Sequence, residues 1–224
     1  ESFFVIGVSY KKANAETRGK FNLNVERKKA LLTASKELAI DGLVVSSTCN
    51  RTEMYGFADN PQTLINLLCA HTEADADLFE EYGYMLKNDE AIHHMFRVGG
   101  GLDSQILGDF EIVSQMKKSF NISKQVGTSN FFLERLFNSV IQASKRIKNE
   151  TKLSSGITSV SFASVNYILE QVNLRSAKNI LLFGTGKIGR NTCENLVKHT
   201  DNKHITLVNR TKEKAEQMAG KFNL

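Results

Sequence analysis

The feature that most constrains this chain is an apolar run, Asn179 to Phe183 (NILLF), that ends in the glycine turn Gly184-Thr185-Gly186-Lys187-Ile188-Gly189. A β-rich apolar segment, three glycines at that spacing and a helical pattern after them specify a strand–turn–helix unit. The first glycine makes the tight turn, the second lets a pyrophosphate approach, and the third lets helix and strand pack closely. A second strand, His204 to Asn209, and a final helical start follow. Together they read as the opening of an α/β Rossmann-like nucleotide-binding sheet. Such a sheet needs several more strands to cover its faces, so this unit is expected to be truncated.

The second strand ends in Asn209-Arg210-Thr211, about 20 residues beyond the turn, where an NAD site places an acidic residue against the ribose 2′-hydroxyl. An arginine there suits a 2′-phosphate, because its planar fork grips that dianion bidentately. NADPH is therefore expected over NADH, held by Gly184, Thr185, Gly186, Lys187, Ile188, Gly189, Asn209, Arg210 and Thr211.

Upstream of this unit the chain reads as α+β. Phe3 to Ser9 is a short apolar strand. Asn24 caps a helix with an apolar stripe at Ala30, Leu31, Ala34 and Leu38, and Asp41-Gly42 stops it. Strands follow at Leu43 to Thr48 and Met54 to Ala58, separated by a polar turn from Cys49 to Glu53. Pro61 suits the first turn of the next helix. From Asn88 the pattern is mostly helical. Asn88 or Asp89 caps Glu90 to Val98, Gly99-Gly100-Gly101 breaks that helix, and Gln105 to Lys124 resumes it. Ser129 to Lys148 repeats apolar residues at helical spacing. Thr151 to Ser161 is rich in Ser, Thr and Gly and reads as a linker into a helix at Phe162 to Val172. The expected organisation is an α+β N-terminal domain at 1–150, which the family resemblance given below implies is the catalytic domain, a linker and connecting helix at 151–174, and an incomplete NADP-binding domain at 175–224.

Composition narrows the setting. The 224 residues allow a sizeable core. No window approaches the roughly 18 uncharged apolar residues of a membrane helix, and Glu1-Ser2-Phe3-Phe4 lacks the pattern of a signal peptide. Three cysteines without paired spacing point to reduced thiols in the cytoplasm. A net charge of +5 permits contact with a polyanion. The basic runs are short, and Lys11-Lys12, Arg27-Lys28-Lys29 and Lys145-Arg146 with Lys148 read as solvated faces. No His/Cys/Asp cluster has metal-ligand spacing, so no metal is expected.

The segment Ser47-Thr48-Cys49-Asn50-Arg51-Thr52-Glu53 is the unusual one. A thiol at a strand end, in a polar turn two residues from an arginine, is placed to act as a nucleophile. It could attack an activated carbonyl and hold the product as a thioester. On pattern alone the alternative is a small buried hydrophobe. Cys69 and Cys193 fall within helical patterns and read as structural.

SSTCNRTE closely resembles the nucleophile motif of glutamyl-tRNA reductases. His94-Met95-Phe96-Arg97-Val98 followed by Gly101-Leu102-Asp103-Ser104 is similar to further family stretches. So are Ser159-Val160-Ser161 and the glycine turn with its later Asn-Arg-Thr. The resemblance implies a homodimeric, NADPH-dependent enzyme of tetrapyrrole (porphyrin) biosynthesis. Such an enzyme reduces glutamyl-tRNA(Glu) to glutamate-1-semialdehyde through a cysteine thioester. It implies Cys49 as nucleophile and His94 as an active-site histidine. Thr48, Asn50, Arg51, Ser104 and Gln115 would hold the glutamyl group, with Arg51 on its side-chain carboxylate. Where the family usually reads Glu-Pro-Gln, this chain has Asp109, Phe110 and Glu111, at the expected contact with the substrate ammonium. Family analogy also supplies a C-terminal dimerisation domain absent here and a complex with glutamate-1-semialdehyde aminomutase. The rival readings are a shikimate-dehydrogenase-like oxidoreductase, a silent tRNA- or cofactor-binding regulator, and a redox-sensing thiol.

Overall fold

The computed structural model describes residues 1–151, 153, 160–171, 179–199 and 204–224. The chain divides into two compact units, Glu1–Leu153 and Ser154–Leu224.

The first unit is built on strand β1 (Ser2–Ser9), buried along nearly its whole length. β1 pairs antiparallel with β3 (Arg51–Ala58) on one side and β4 (Gly83–Lys87) on the other, and β2 (Leu43–Ser47) adds outside β3. Successive side chains on a strand point to opposite faces, so β1 serves two cores at once. Phe4, Ile6 and Val8 meet Leu31 and Leu32 of α2 (Val25–Glu37), Leu64, Leu67 and Leu68 of α3 (Pro61–Ala70), and Phe79 of α4 (Ala76–Tyr82). Phe3 and Val5, with Val44 and Tyr55, meet α5 (Asp89–Gly99), α6 (Glu111–Val126) and α7 (Phe131–Glu150). The result is a helix–sheet–helix sandwich. Its two apolar faces explain why β1 reads as a continuous apolar run rather than an alternating one.

Several expectations change. The turn expected over Cys49 to Glu53 is shorter, because β3 begins at Arg51 and buries Arg51, Thr52 and Glu53. Their polarity disguises a strand whose partners lie far away in sequence. The helix expected from Gln105 begins only at Glu111. Gly101 and Gly108 both adopt positive φ, and the Gly108 N–H donates to the Gly101 carbonyl, folding 101–110 into a loop. Asn88 does not cap α5 through its side chain; its Oδ1 accepts from the N–H of Phe3 instead. Helix α2 ends at Glu37, before Asp41-Gly42. Lys28, expected on a solvated face, is buried. Helices α1 (Ala15–Lys20) and α4 and the edge strand β4 carry too little periodicity to be read locally.

In the second unit β5 (Ile180–Phe183) and β6 (Ile205–Val208) pair in parallel, joined through α9 (Lys187–His199). Helices α8 (Val160–Gln171) and α10 (Lys212–Phe222) complete it. Val165, Leu182, Cys193, Leu196, Ile205 and Met218 form its core. Of the linker and connecting helix expected over 151–174, residues 152, 154–159 and 172–174 lie outside the described residues, Ser159 among them.

Candidate active site around Cys49

The β2–β3 hairpin closes tightly, with the Thr48 N–H donating to the Arg51 carbonyl at 2.8 Å. The Thr48 hydroxyl accepts from the N–H groups of Asn50 and Arg51, both at 3.2 Å. A hydroxyl that satisfies two backbone donors fixes the turn. Cys49 is exposed at its apex. The Asn50 carbonyl accepts from the Tyr10 N–H at 2.9 Å. Arg18 Nε donates to the Cys49 carbonyl at 3.1 Å, a second guanidinium that the sequence reading missed.

Beyond the turn, the face of β3 that carries Tyr55 also carries Glu53 and Arg51. The apolar core therefore ends here in a buried charged cluster. Glu53 is 0% exposed and Arg51 3% exposed. Arg51 Nη1 donates to Glu53 Oε1 at 2.8 Å, and Nη2 donates to Asp103 Oδ2 at 2.8 Å and to the Asp103 carbonyl. Lys11 pairs with the other carboxylate oxygen of Asp103. His94 Nε2 lies 2.7 Å from Glu53 Oε1, and the Tyr84 and Tyr55 hydroxyls donate to the same carboxylate. The His94 ring also stands edge-on to Tyr84, with centroids 5.6 Å apart. A carboxylate bonded to one imidazole nitrogen holds the ring's orientation.

The electrostatics follow from burial against charge. Burial alone would raise the Glu53 carboxyl, but the Arg51 guanidinium and then His94 outweigh it and hold it well below the usual carboxylate range. Burial likewise opposes ionisation of Asp103, and its bonds to Lys11 and Arg51 prevail, so its carboxyl is lowered. Tyr55 and Tyr84 are pushed well above the ordinary phenol value by burial and by the Glu53 charge. The cluster is thus a set of fixed charges. Arg51, with both terminal nitrogens engaged, lies inside it rather than open to solvent.

The other expected residues divide. Ser104 is half-buried in the 101–110 loop. Asp109 Oδ1 accepts from the Glu111 N–H at 2.9 Å and so starts α6. Phe110 packs against the second core with Lys148 Nζ 6.0 Å from its ring centroid. Gln115 lines a groove with Lys28 and Ser47. Glu53, Tyr84, Asp103 and Lys11 were not singled out as site residues. Glu53 stands four positions after Cys49 on the same strand face as Arg51, and that period-2 spacing was the available signal.

In the second unit Gly184 has φ +93°, and its N–H donates to the Val208 carbonyl at 2.7 Å. A Cβ at Gly184 or Gly186 would meet nothing within 4 Å, whereas one at Gly189 would overlap the Gly184 carbonyl. Open space over the first two glycines and close packing at the third suit a pyrophosphate on the start of α9. Asn209 Oδ1 accepts from the Thr185 N–H at 3.3 Å and its Nδ2 donates to the Thr211 carbonyl at 2.9 Å, tying the two loops together. Arg210 is exposed beside them.

Residues 6–151 match the family model for the glutamyl-tRNA reductase N-terminal domain, and residues 166–224 match that for shikimate/quinate 5-dehydrogenase. A glutamyl-tRNA reductase of Christiangramia forsetii is 66% identical over 222 residues, 99% of this chain and 53% of its own length. One from Flavobacterium johnsoniae is 62% identical over 223 residues, covering 100% of this chain and 51% of the relative. Among solved structures, glutamyl-tRNA reductase from Methanopyrus kandleri superposes with a TM-score of 0.68 at 27% identity, over 99% of this chain and 52% of that one. The chain spans about half the length of the curated relatives it matches.

Proposed function

Because the chain belongs to the glutamyl-tRNA reductase family, we propose that it carries the thioester-forming half of an NADPH-dependent reduction of glutamyl-tRNA(Glu) to glutamate-1-semialdehyde. The observation that supports this most is an exposed thiol at the apex of a rigid hairpin whose next strand leads, through Arg51 and Glu53, to His94.

An aminoacyl ester is an activated acyl donor. Cys49 Sγ attacks its carbonyl carbon as the thiolate. A C–S bond forms, the C–O bond to the terminal ribose breaks, and the tRNA leaves as its hydroxyl after taking up a proton. Splitting the reaction at a covalent intermediate replaces one difficult step by two easier ones. His94, its Nε2 side held by Glu53, presents the rest of the ring to polarise or orient the reacting carbonyl. Thr48, Asn50, Ser104 and Gln115 hold the glutamyl group, and Asp109 and Glu111 supply negative charge toward its ammonium, with Phe110 as an apolar wall. Arg51 is the cation for the side-chain carboxylate, which would share or replace the contact that Asp103 now makes.

Residues 1–150 form the catalytic domain in this reading, 151–174 the connection and 175–224 part of a Rossmann-like NADP-binding domain. Gly184 to Gly189 would hold the pyrophosphate, and Asn209, Arg210 and Thr211 the ribose phosphate. Bound there, NADPH would supply the hydride that converts the thioester to the aldehyde, with the C–S bond breaking and Cys49 regained as the thiolate. The protein acts in the cytoplasm as a homodimer, and a complex with the aminomutase that consumes the aldehyde is in keeping with so reactive a product.

The test uses this sequence carried in a longer protein of its relatives' full length, charged tRNA and either NADPH or NADH. Aldehyde should form preferentially with NADPH, vanish in Cys49→Ser, and lose its cofactor preference in Arg210→Ser. Full turnover by Cys49→Ser, or oxidation of shikimate instead, would overturn the assignment.

A further inference from the structure

The groove between α2 and α6 takes no part in the scheme above except through Gln115. It encloses about 380 Å³, and none of its nine lining residues is acidic. Its walls include Lys28, Ser47, Gln115, Lys118, Asn121 and Gln125. Lys28 is only 9% exposed. Its ammonium donates to the Ser47 carbonyl at 3.1 Å, and no carboxylate among the described residues lies within ion-pair distance of it. An ammonium withdrawn from water is costly unless a negative charge compensates it, and a single carbonyl dipole does so only in part. An apolar side chain of similar length would fill the same wall without that penalty. Burial accordingly weakens the hold of Lys28 on its proton.

We infer that this groove is an anion-binding subsite, in which the Lys28 ammonium receives a carboxylate or phosphate group. Lys118 supplies a second positive charge, and the side-chain amides of Gln115, Asn121 and Gln125 supply hydrogen-bond donors. Charge-assisted bonds of this kind are about twice as strong as neutral ones. The groove reaches Ser47, two residues before Cys49, so a ligand seated in it adjoins the hairpin that carries the thiol. Two sources offer the required chemistry: a carboxylate of a free or esterified amino acid, and a phosphate of a nucleic acid backbone. The choice between them rests on the reading in the previous section; the anion site itself does not.

The test is NMR of this chain with ¹³C-labelled lysine, titrated separately with inorganic phosphate and with L-glutamate against a chloride control of equal ionic strength. A saturable shift of the Lys28 side-chain resonance is expected. Phosphate acting alone would assign the nucleic acid source, glutamate acting alone the amino acid source, and both together a general anion site. Lys28→Met should weaken binding about tenfold, while Lys28→Arg, which keeps the charge, should retain most of it. Backbone spectra of both variants establish that the fold is intact. No shift beyond the chloride control, or undiminished binding in Lys28→Met, would overturn the proposal. Because no turnover is read, its failure is distinct from a failure of the catalytic assignment.

Discussion

A carboxylate with no solvent exposure persists in a core only when its charge is met on several sides, and Glu53 is met by Arg51, His94, Tyr55 and Tyr84. Removing one member of such a cluster leaves the others buried and uncompensated, at a cost of about 3 kcal/mol or more. Glu53→Gln should therefore destabilise the first unit by about that amount at neutral pH and release His94, lowering the rate of Cys49 acylation. The sign of the pH dependence follows from the lowered carboxyls of Glu53 and Asp103. Their contribution is complete above the ordinary carboxylate range, about pH 4 to 5, and is lost as pH falls through their depressed folded values. Urea unfolding of wild type and Glu53→Gln should give stabilities that converge as pH drops below about 4. A gap that stays constant down to pH 2 would show that Glu53 contributes through packing alone. Of this cluster, Arg51 and His94 were legible in the sequence. Asp103 and Lys11 were not, because no local pattern shows that the loop after Gly101 returns to β3.

At the scale of elements, the hairpin and β1 set the geometry around the thiol. Gly7 on β1 pairs with Glu53, and a Cβ at Gly7 would lie 2.7 Å from both Glu53 Cγ and the Thr52 carbonyl oxygen. Gly7→Ala must push β1 and β3 apart at the charged end of the sheet, which overpacking data value at about 1–3 kcal/mol. A fall in thermal midpoint together with slower acylation is expected, and an unchanged midpoint would contradict this account of the strand contact. Strands β1 and β2, the start of α3 after Asn60 and the strand–turn–helix at Gly184 were all readable, because each combines an apolar run with its own stop or cap. Two things hid the start of β3. Its first residues are polar, and their burial depends on His94 and Asp103, some forty to fifty residues away. Edge strand β4 was hidden by its half-exposed side chains and by its position directly behind α4.

At the scale of the whole molecule, the chain divides into two compact units, and in the proposed function they share the chemistry between the Cys49 thiol of the first and a reductant held by the second. In the proposed function the first unit acts alone in the opening step, in which Cys49 takes an acyl group from an aminoacyl ester. That step is tested most directly by mixing this chain with freshly charged glutamyl-tRNA, without NADPH, and measuring intact mass, with Cys49→Ser and the longer protein alongside. A glutamyl adduct is expected on the wild-type chain, absent from Cys49→Ser and discharged by hydroxylamine. An unmodified mass together with unaccelerated deacylation, in this chain and in the longer protein, would contradict the proposed step.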